Sequence, residues 1–330
     1  MKAAIVGIGG PVLLPEEKSL FTANPPCGVI LFARNIRDPG QLATLMRALR
    51  QALPDDALLM IDQEGGRVAR LRPPHWLVHP PAASVGRLFD RSPDAGLRAA
   101  WLNGALIGVE CAAAGFDVVT VPVLDRAIPG ASSAIGDRAF HVDPGIVARL
   151  GQEMANGLMA AGVQPVGKHA PGHGRAQVDS HEDLPVVETD DLQADLEAFA
   201  LNAGLPWLMT AHILYPAWDP GLPATLSPTV IGTIIRGKIG FAGVLVTDDL
   251  AMRALSGSPA DLARQALAAG CDLALYCTGE LAPSAALLEV CPELSPAVAH
   301  RIDAARSRVR ARRTQLDAAA LLAERDRLLA

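Results

Sequence analysis

The sequence predicts an α/β fold in which eight parallel strands close into a TIM-type (β/α)8 barrel, and three observations support this prediction. Short apolar runs alternate with helical patterns along the whole chain of 330 residues. This alternation implies a parallel sheet with helical crossovers. Polar clusters follow the apolar runs, and the reactive groups of such barrels gather where the strands end. An open doubly wound sheet is the alternative fold.

Each candidate strand is a short apolar run with turn residues at its ends. Uninterrupted runs of this kind are typical of strands buried on both faces of a parallel sheet. Eight of them fit a closed barrel filled by branched side chains. The runs are residues 3–8, 28–32, 57–61, 118–123, 164–168, 206–210, 243–247 and 272–276.

Helical patterns lie between the runs, with apolar residues at three- and four-residue spacing. Ser or Asp followed by Pro marks several helix starts, because the side chain caps free amides and Pro fits the first turn. From Pro296 an Ala-, Leu- and Arg-rich tail predicts one or two helices packed on the barrel, and the absence of a linker predicts a single domain over residues 1–330. The clearest patterns are 41–53, 96–114, 146–161, 192–203 and 260–269, and the cap pairs are Asp38-Pro39, Ser92-Pro93, Asp143-Pro144, Ser227-Pro228, Ser258-Pro259 and Ser295-Pro296.

Composition excludes several classes of protein. Hydrophobic residues make up 50% of the chain, enough for a large core, and the net charge of −6 leaves no basic excess for nucleic acid. No apolar run approaches the roughly 18 residues of a membrane-spanning helix, and residues 1–11 predict a first strand and no signal peptide. Five cysteines, an odd number, fit a reducing compartment. We therefore expect a soluble cytoplasmic monomer that binds neither nucleic acid nor membrane.

A Gly- and Pro-rich loop crowded with ionisable side chains follows the fifth strand and contains His173, Asp179 and His181. Asp179 and His181 stand two apart, so in an extended loop they point the same way. The carboxylate can then take one ring N–H and leave the other nitrogen for a substrate. This spacing predicts that Asp179 orients His181 for proton transfer, and an exposed polar loop is the alternative.

The seventh strand leads into two carboxylates, Asp248 and Asp249. A carboxylate that projects into the mouth of a barrel is positioned as a nucleophile, and the amides of a helix just beyond favour its ionised form. We prefer Asp248 because it is predicted to be the first residue after the strand, with Asp249 turned towards the helix. The alternative is that Asp248 only caps a helix beginning near Leu250.

Other charged side chains near strand ends are candidates for binding a polyhydroxylated ligand. Asp62 directly follows the third strand and can accept two hydroxyl hydrogen bonds. Surface charges or ion pairs are the alternative interpretation, and Gly65-Gly66 predicts a tight turn. The further candidates are Arg70, Arg138, Lys168 and His169.

The loop also has the residue types of a metal site, as found in barrel amidohydrolases. No His-x-His stands on the first strand, and three of the four residues share a flexible Gly-rich loop. We therefore expect no metal and no other cofactor. The four residues are His169, His173, Asp179 and His181.

Taken together, the motifs closely resemble the β-N-acetylglucosaminidases of glycoside hydrolase family 3, in particular the single-domain bacterial type that acts in peptidoglycan recycling. The resemblance covers nearly the whole chain, and the motifs stand in the same order. They are residues 28–35 (GVILFARN), 61–68 (IDQEGGRV), 134–138 (AIGDR), 168–174 (KHAPGHG), 179–181 (DSH), 209–212 (MTAH), 224–227 (ATLS) and 247–252 (TDDLAM).

The resemblance implies a TIM-type barrel and a retaining double displacement. Asp248 would attack the anomeric carbon, and His181, paired with Asp179, would protonate the leaving oxygen and then activate water. The substrate would be a peptidoglycan fragment, GlcNAc-1,6-anhydroMurNAc with or without peptide. The residues expected to bind its terminal N-acetylglucosamine are Asp62, Arg70, Arg138, Lys168 and His169.

Two positions depart from the family pattern. Ala170 stands where Phe is usual in Lys-His-Phe-Pro-Gly-His-Gly, and Glu182-Asp183 follow the His where apolar or small residues are commoner. Neither change removes a residue with a chemical role, so they affect loop packing more than reaction type. Three other functions remain open: an N-acetylglucosaminide phosphorylase with the same site, a metal-dependent amidohydrolase, and a sugar-binding protein with an inactive site.

Overall fold

The computed structural model of the protein describes residues 1–189 and 191–330. Eight parallel strands close into a barrel in chain order, and β8 pairs with β1. The predicted TIM-type barrel is therefore confirmed, and the open doubly wound sheet is wrong. The strands are β1 (Lys2–Gly7), β2 (Pro26–Leu31), β3 (Leu58–Ile61), β4 (Val118–Val119), β5 (Gln164–Ala170), β6 (Trp207–Thr210), β7 (Val244–Asp249) and β8 (Leu273–Tyr276).

Successive residues of each strand point to two different parts of the core. Ile5 and Ile30 belong to the cluster that fills the barrel, whereas their neighbours Val6 and Val29 pack with residues of the surrounding helices. Both faces of the strands are therefore buried. This burial explains why the sequence shows continuous apolar runs instead of an alternation of apolar and polar residues.

Helices cover the outside of the barrel. Asp38, Asp143, Ser258 and Ser295 each accept a hydrogen bond from the amide three residues further on, as predicted, whereas Ser92 makes no such bond. A π-helical segment, Val230–Lys238, stands between β6 and β7. The helices are α1 (Pro15–Ala23), α2 (Pro39–Ala52), α3 (Ala82–Arg91), α4 (Pro93–Ala114), α5 (Pro144–Ala161), α6 (Gln193–Leu201), α7 (Pro259–Ala269), α8 (Leu281–Val290), α9 (Pro296–Arg312) and α10 (Ala318–Leu329).

The fourth strand is shorter than the predicted 118–123. Its regular ladder stops after Val119, because the Val121 amide donates back to the Val119 carbonyl at 2.9 Å instead of to a neighbouring strand. The chain nevertheless stays beside β5, since the Val121 carbonyl accepts a hydrogen bond from the Val166 amide at 2.9 Å. The residues after β4 therefore still reach the mouth of the barrel.

The seventh strand is longer than predicted. It continues through Asp249, which pairs with Leu275 of β8, so Asp248 lies within the strand and not after it. Residues 250–255 form turns, and α7 begins only at Pro259. The interpretation of Asp248 as the cap of a helix near Leu250 is therefore wrong, and no helix terminus directly follows the carboxylate.

The two C-terminal helices contact different parts of the molecule. On α9, Ile302 and Ala305 join the side chains that fill the barrel, and Arg301 Nη1 lies 2.6 Å from Asp272 Oδ1. On α10, Leu321 packs against α4. Within residues 1–189 and 191–330, no helix combines the length and the apolar character needed to cross a membrane.

Candidate active site

A cleft opens at the C-terminal ends of the strands. Its open volume of about 660 Å³ lies within the usual range of small-molecule sites. Phe32, Met209 and Met252 supply apolar surface, and the remaining walls are largely polar. All eight residues predicted from the sequence for binding and catalysis line this one cleft. They are Asp62, Arg70, Arg138, Lys168, His169, Asp179, His181 and Asp248.

Lys168, at the end of β5, is the centre of a buried group of charges. Its Nζ lies 2.8 Å from Asp62 Oδ1, 2.6 Å from Glu64 Oε1 and 3.0 Å from Thr120 Oγ1. Arg70 Nη2 contacts the other oxygen of Asp62 at 2.6 Å. The charged residues of this group are called the ionic cluster below: Asp62, Glu64, Arg70, Arg138 and Lys168.

Glu64 and Arg138 join the loops after β3 and β4. Arg138 Nε and Nη2 donate to the two carboxylate oxygens of Glu64, each at 2.8 Å, which is the two-pronged geometry that a guanidinium favours. The predicted tight turn follows Glu64, with φ of +99° at Gly65 and +55° at Gly66. Glycine is suited to these positive φ values, so the turn lets the chain reverse directly after the buried carboxylate.

Mutual neutralisation fixes the charges of the ionic cluster. Burial alone raises the pKa of Asp62, but Lys168 and then Arg70 outweigh burial and hold that pKa far below its usual range. Burial lowers the pKa of Lys168, but Asp62 and Glu64 outweigh it and raise that pKa above its ordinary value. The cluster therefore presents fixed charges to the cleft at neutral pH.

Asp248 projects from β7 into the same cleft, and its side chain is 17% exposed. Its Oδ1 accepts a hydrogen bond from the Asp249 amide at 2.8 Å, and its Oδ2 lies 4.0 Å from His169 Nε2. Burial raises the pKa of Asp248, but His169, then His212 and the Asp249 amide, outweigh it and lower the pKa below its ordinary value. Asp248 is therefore an ionised carboxylate with one oxygen still available for chemistry.

His169 is held in place by Asp125, which follows β4. The carboxylate accepts from His169 Nδ1 at 2.6 Å and from the His173 amide at 2.6 Å. Because a carboxylate is only an acceptor, Nδ1 carries the ring proton and Nε2 faces Asp248 and Arg138. Arg138 Nη2 lies 3.4 Å from that Nε2.

Asp249 and His212 lie directly behind Asp248. Asp249 Oδ1 accepts from the amides of Ala251 and Cys277, both at 3.0 Å, so this carboxylate is turned to the main chain of its surroundings. Burial raises the pKa of Asp249 above its ordinary value. His212 Nε2 lies 2.9 Å from the Asp249 carbonyl oxygen. The two neighbouring carboxylates therefore have different environments, and Asp248 is the one that faces the cleft with its charge.

The loop after β5 carries Asp179 and His181 to the rim of the cleft. Asp179 Oδ1 accepts from His181 Nδ1 at 2.7 Å and from the His181 amide at 2.9 Å, so Nε2 is left free for another partner. The side chain of His181 is 70% exposed and that of Asp179 35%. Burial raises the pKa of Asp179, but the hydrogen bonds from His181 together outweigh it and lower the pKa of this carboxyl.

Ser180, between these two residues, ties the exposed pair to the rest of the site. Its side chain is buried, and its Oγ lies 3.2 Å from His173 Nε2. Its carbonyl oxygen accepts from the Ala254 amide at 3.1 Å. Ala254 belongs to the turns that follow β7, so one main-chain hydrogen bond links the His181 loop to the segment that carries Asp248.

Sequence reasoning assigned no role to several polar residues of the site. Glu64, Thr120 and Asp125 contact predicted residues over separations of 44 to 74 positions, and His212 contacts the Asp249 carbonyl 37 positions away. Their one sequence signal is that each stands in or just after a predicted strand. That position is shared by the predicted site residues and could have identified them too.

The histidines of the loop are directed at protein partners. His169 Nδ1 contacts Asp125, His173 Nε2 contacts Ser180 and His181 Nδ1 contacts Asp179. Over the part of the chain that the structure describes, no three His, Cys, Asp or Glu side chains are arranged to hold a metal ion.

Comparison with known proteins places this geometry in a family. The model of the glycosyl hydrolase family 3 N-terminal domain matches residues 14–311. A beta-hexosaminidase of Aromatoleum aromaticum is 38% identical over 314 residues, which cover 93% of this chain and 88% of the relative.

Solved structures give the same result. NagZ from Neisseria gonorrhoeae, crystallised with N-trifluoroacetyl-D-glucosamine, superposes with a TM-score of 0.88 at 31% identity and covers 100% of this chain and 98% of its own. A family 3 beta-N-acetylglucosaminidase from a Paenibacillus species gives a TM-score of 0.78 at 34% identity, covering 98% of this chain and 61% of that one. The chain therefore belongs to glycosyl hydrolase family 3 and is a glycoside hydrolase of the β-hexosaminidase group within it.

Proposed function

We propose that the protein is an exo-acting, retaining β-N-acetylglucosaminidase. It removes terminal, non-reducing N-acetylglucosamine from peptidoglycan fragments, namely GlcNAc-1,6-anhydroMurNAc with or without attached peptide. The observation that carries the proposal is the ionised carboxylate of Asp248 in one cleft with the ionic cluster and the Asp179–His181 pair. The names of the relatives, which include NagZ bound to an N-acyl glucosamine, support the sugar and its amide.

The reaction proceeds in two displacements at the anomeric carbon. In the first, an oxygen of Asp248 forms a bond to that carbon while protonated His181 gives its Nε2 proton to the departing glycosidic oxygen. In the second, neutral His181 takes a proton from water, which attacks the glycosyl ester and releases Asp248. Asp179 keeps Nδ1–H engaged, at 2.7 Å, so that Nε2 is the nitrogen that exchanges the proton.

The ionic cluster binds the sugar hydroxyls. Asp62 is an acceptor, Arg70, Arg138 and Lys168 are donors, and His169 offers its Nε2 as a further acceptor at the same wall of the cleft. Because these groups already hold one another in place, a sugar hydroxyl meets donors and acceptors that need little rearrangement. The acetamide is bound in the cleft and takes no part as a nucleophile.

The test is release of p-nitrophenol from its β-N-acetylglucosaminide, followed by NMR of the first sugar anomer formed. We expect the β-anomer from the parent enzyme. Asp248→Ala should lose turnover, and added azide should restore release of p-nitrophenol while forming the α-glycosyl azide. Turnover close to that of the parent in Asp248→Ala, or an α-anomer as first product, contradicts the proposal.

Phosphorolysis is the second candidate, because the proton-transfer group is a His paired with Asp179 and not a carboxylic acid. A neutral acid/base repels phosphate less than a carboxylate does. Products with and without phosphate decide the question: N-acetylglucosamine 1-phosphate identifies a phosphorylase, and free N-acetylglucosamine in both cases identifies a hydrolase.

A single catalytic domain, a monomeric state and a cytoplasmic location belong to the same proposal. All five cysteines are unpaired and buried, which is the pattern of a protein kept in a reducing compartment. Sedimentation of the purified chain tests the monomer.

A further inference from the structure

A second cleft lies at the opposite end of the barrel from Asp248. Its walls include Asp117 and Gln164, which stand at the N-terminal ends of β4 and β5, and its open volume is about 590 Å³. Helix α9 forms the other wall with Arg306 and Arg310, and Arg313, the residue directly after the helix, completes it. The spacing of four residues places Arg306 and Arg310 on one face of the helix.

Among the residues that the structure describes, two of the three guanidinium groups have no counter-charge. Arg306 donates to the Asp56 carbonyl and lies 3.4 Å from Asp303. In residues 1–189 and 191–330, the side chains of Arg310 and Arg313 make no hydrogen bond or ion pair within 4.0 Å. The cleft therefore carries two uncompensated positive charges.

The one carboxylate in the cleft does not offset them. Asp117 Oδ2 accepts from Arg50 Nη2 at 2.6 Å and from the Leu59 amide at 2.7 Å. Gln164 is buried and its Oε1 accepts from Trp207 Nε1 at 3.0 Å. Its side-chain NH2 donates to no group of the described chain, so the wall also contains a donor without a partner.

The neighbouring arginines repel one another. Like charges three or four residues apart on a helix destabilise it. The C-terminal end of α9 favours cations, but it favours Arg308 and Arg312 equally and does not explain why three arginines line the cleft. The side chain of Arg313 passes close to Gly162, which lines the same cleft.

We propose that this second cleft binds a phosphate group, free or as the monoester of a small metabolite. The planar guanidinium forks of Arg310 and Arg313 match the oxygens of phosphate, and two positive charges match a dianion. The open volume exceeds one phosphate ion, which leaves room for the organic part of an ester. A long polyanion is disfavoured by the net charge of −6.

The test is calorimetric titration of the full-length protein with inorganic phosphate and with glucose 6-phosphate at constant ionic strength. Saturating N-acetylglucosamine is present to occupy the first cleft. We expect saturable binding with one site per chain. Stronger binding of glucose 6-phosphate identifies an ester as the ligand, whereas equal binding identifies free phosphate.

Variants locate the site. Arg310→Gln and Arg313→Gln should each weaken binding at least about tenfold, because each removes a charge-assisted hydrogen bond to the phosphate and a tenfold loss corresponds to about 1.4 kcal/mol. Arg308→Gln is the matched control, because Arg308 is an exposed arginine of α9 outside the cleft, and it should bind like the parent. All three changes lie on the surface, and thermal melts check their folding. No saturable binding of either compound, or equal binding by Arg308→Gln and Arg310→Gln, overturns the proposal.

Discussion

The ionic cluster and the Asp179–His181 loop stand at the same cleft but are built in opposite ways. Lys168 and Glu64 are 4% and 5% exposed and each contacts at least two charged partners. The side chain of His181 is 70% exposed and contacts one. A charge that stays fixed can be buried among partners, whereas a group that gains and loses a proton in every cycle is better placed near water. With the proposed roles, the site separates substrate binding from proton transfer physically.

The largest effect is expected from Lys168→Met, which removes the central cation of the ionic cluster. Asp62 and Glu64 would remain as buried carboxylates without their shared partner, so unfolding free energy should fall by about 3–5 kcal/mol. Urea unfolding measures the loss. Arg264→Gln, which removes an exposed ion pair with Asp261, is the control and should leave the urea midpoint unchanged. A Lys168→Met protein as stable as the parent would show that the ionic cluster does not stabilise the fold.

Changes in the Asp179–His181 loop should have the opposite effect, a loss of activity without a loss of stability. His181→Ala should lower kcat by about 10²–10⁴-fold, the usual contribution of general acid–base catalysis, and leave the urea midpoint unchanged because the side chain is exposed. Asp179→Asn should act in the same direction. Asp183→Asn is the matched control, since Asp183 is an exposed carboxylate of the same loop. A loss of stability in His181→Ala comparable to that of Lys168→Met would show that the loop is as structural as the cluster.

His173 lies between the two regions and should make stability depend on pH. Burial, and then the neighbouring His169, lower the pKa of His173 to about 4, against about 6.5 in an unfolded chain. The fold therefore favours the neutral ring. As pH falls from 6.5 to 4 the unfolded chain takes up a proton that the folded one does not, and stability falls by up to about 3 kcal/mol. Below pH 4 this group causes no further loss.

Replacing His173 by Gln should remove this part of the pH dependence. Urea unfolding at pH 7, 5 and 4 gives the unfolding free energy of the variant and of the parent. The change of this free energy with pH, and not its value at one pH, is compared between the two proteins. An unchanged slope in His173→Gln contradicts the assignment.

The smallest effect is expected from Ser180→Ala. The change removes the Oγ that lies 3.2 Å from His173 Nε2 and leaves a buried ring nitrogen without a partner, at a cost of about 1 kcal/mol. Because Ser180 stands between Asp179 and His181, kcat should fall a few-fold while KM stays constant. Ser307→Ala, on the exposed side of α9, is the control. A change in KM alone would indicate that Ser180 acts on sugar binding and not on proton transfer.

The barrel could be predicted from the sequence because each of its strands has a local sequence signal. Each strand is an apolar run such as that of Leu58 to Ile61, buried on both faces. The strand ends were less predictable, since β4 stops already after Val119 and β7 continues to Asp249 through pairing with β8.

The site was predictable only in part. Strand ends and the spacing of Asp179 and His181 identified residues that meet at one cleft. The partners that fix their geometry were not predictable in the same way. Asp125 and His169 are 44 positions apart, and Lys168 and Asp62 are 106 apart. Which carboxylate meets which cation at such separations depends on the closed barrel, and not on any local pattern.

The hydrogen bond between the Ser180 carbonyl and the Ala254 amide, at 3.1 Å, has a consequence for how the enzyme tolerates sequence change. Both atoms belong to the main chain, so no substitution at either position removes them, except proline at 254. The side chains around the loop can therefore change, as at Ala170 and Glu182, while this hydrogen bond between the loop and the segment after β7 is kept. The attachment of the exposed Asp179–His181 loop is, in this respect, little affected by mutation.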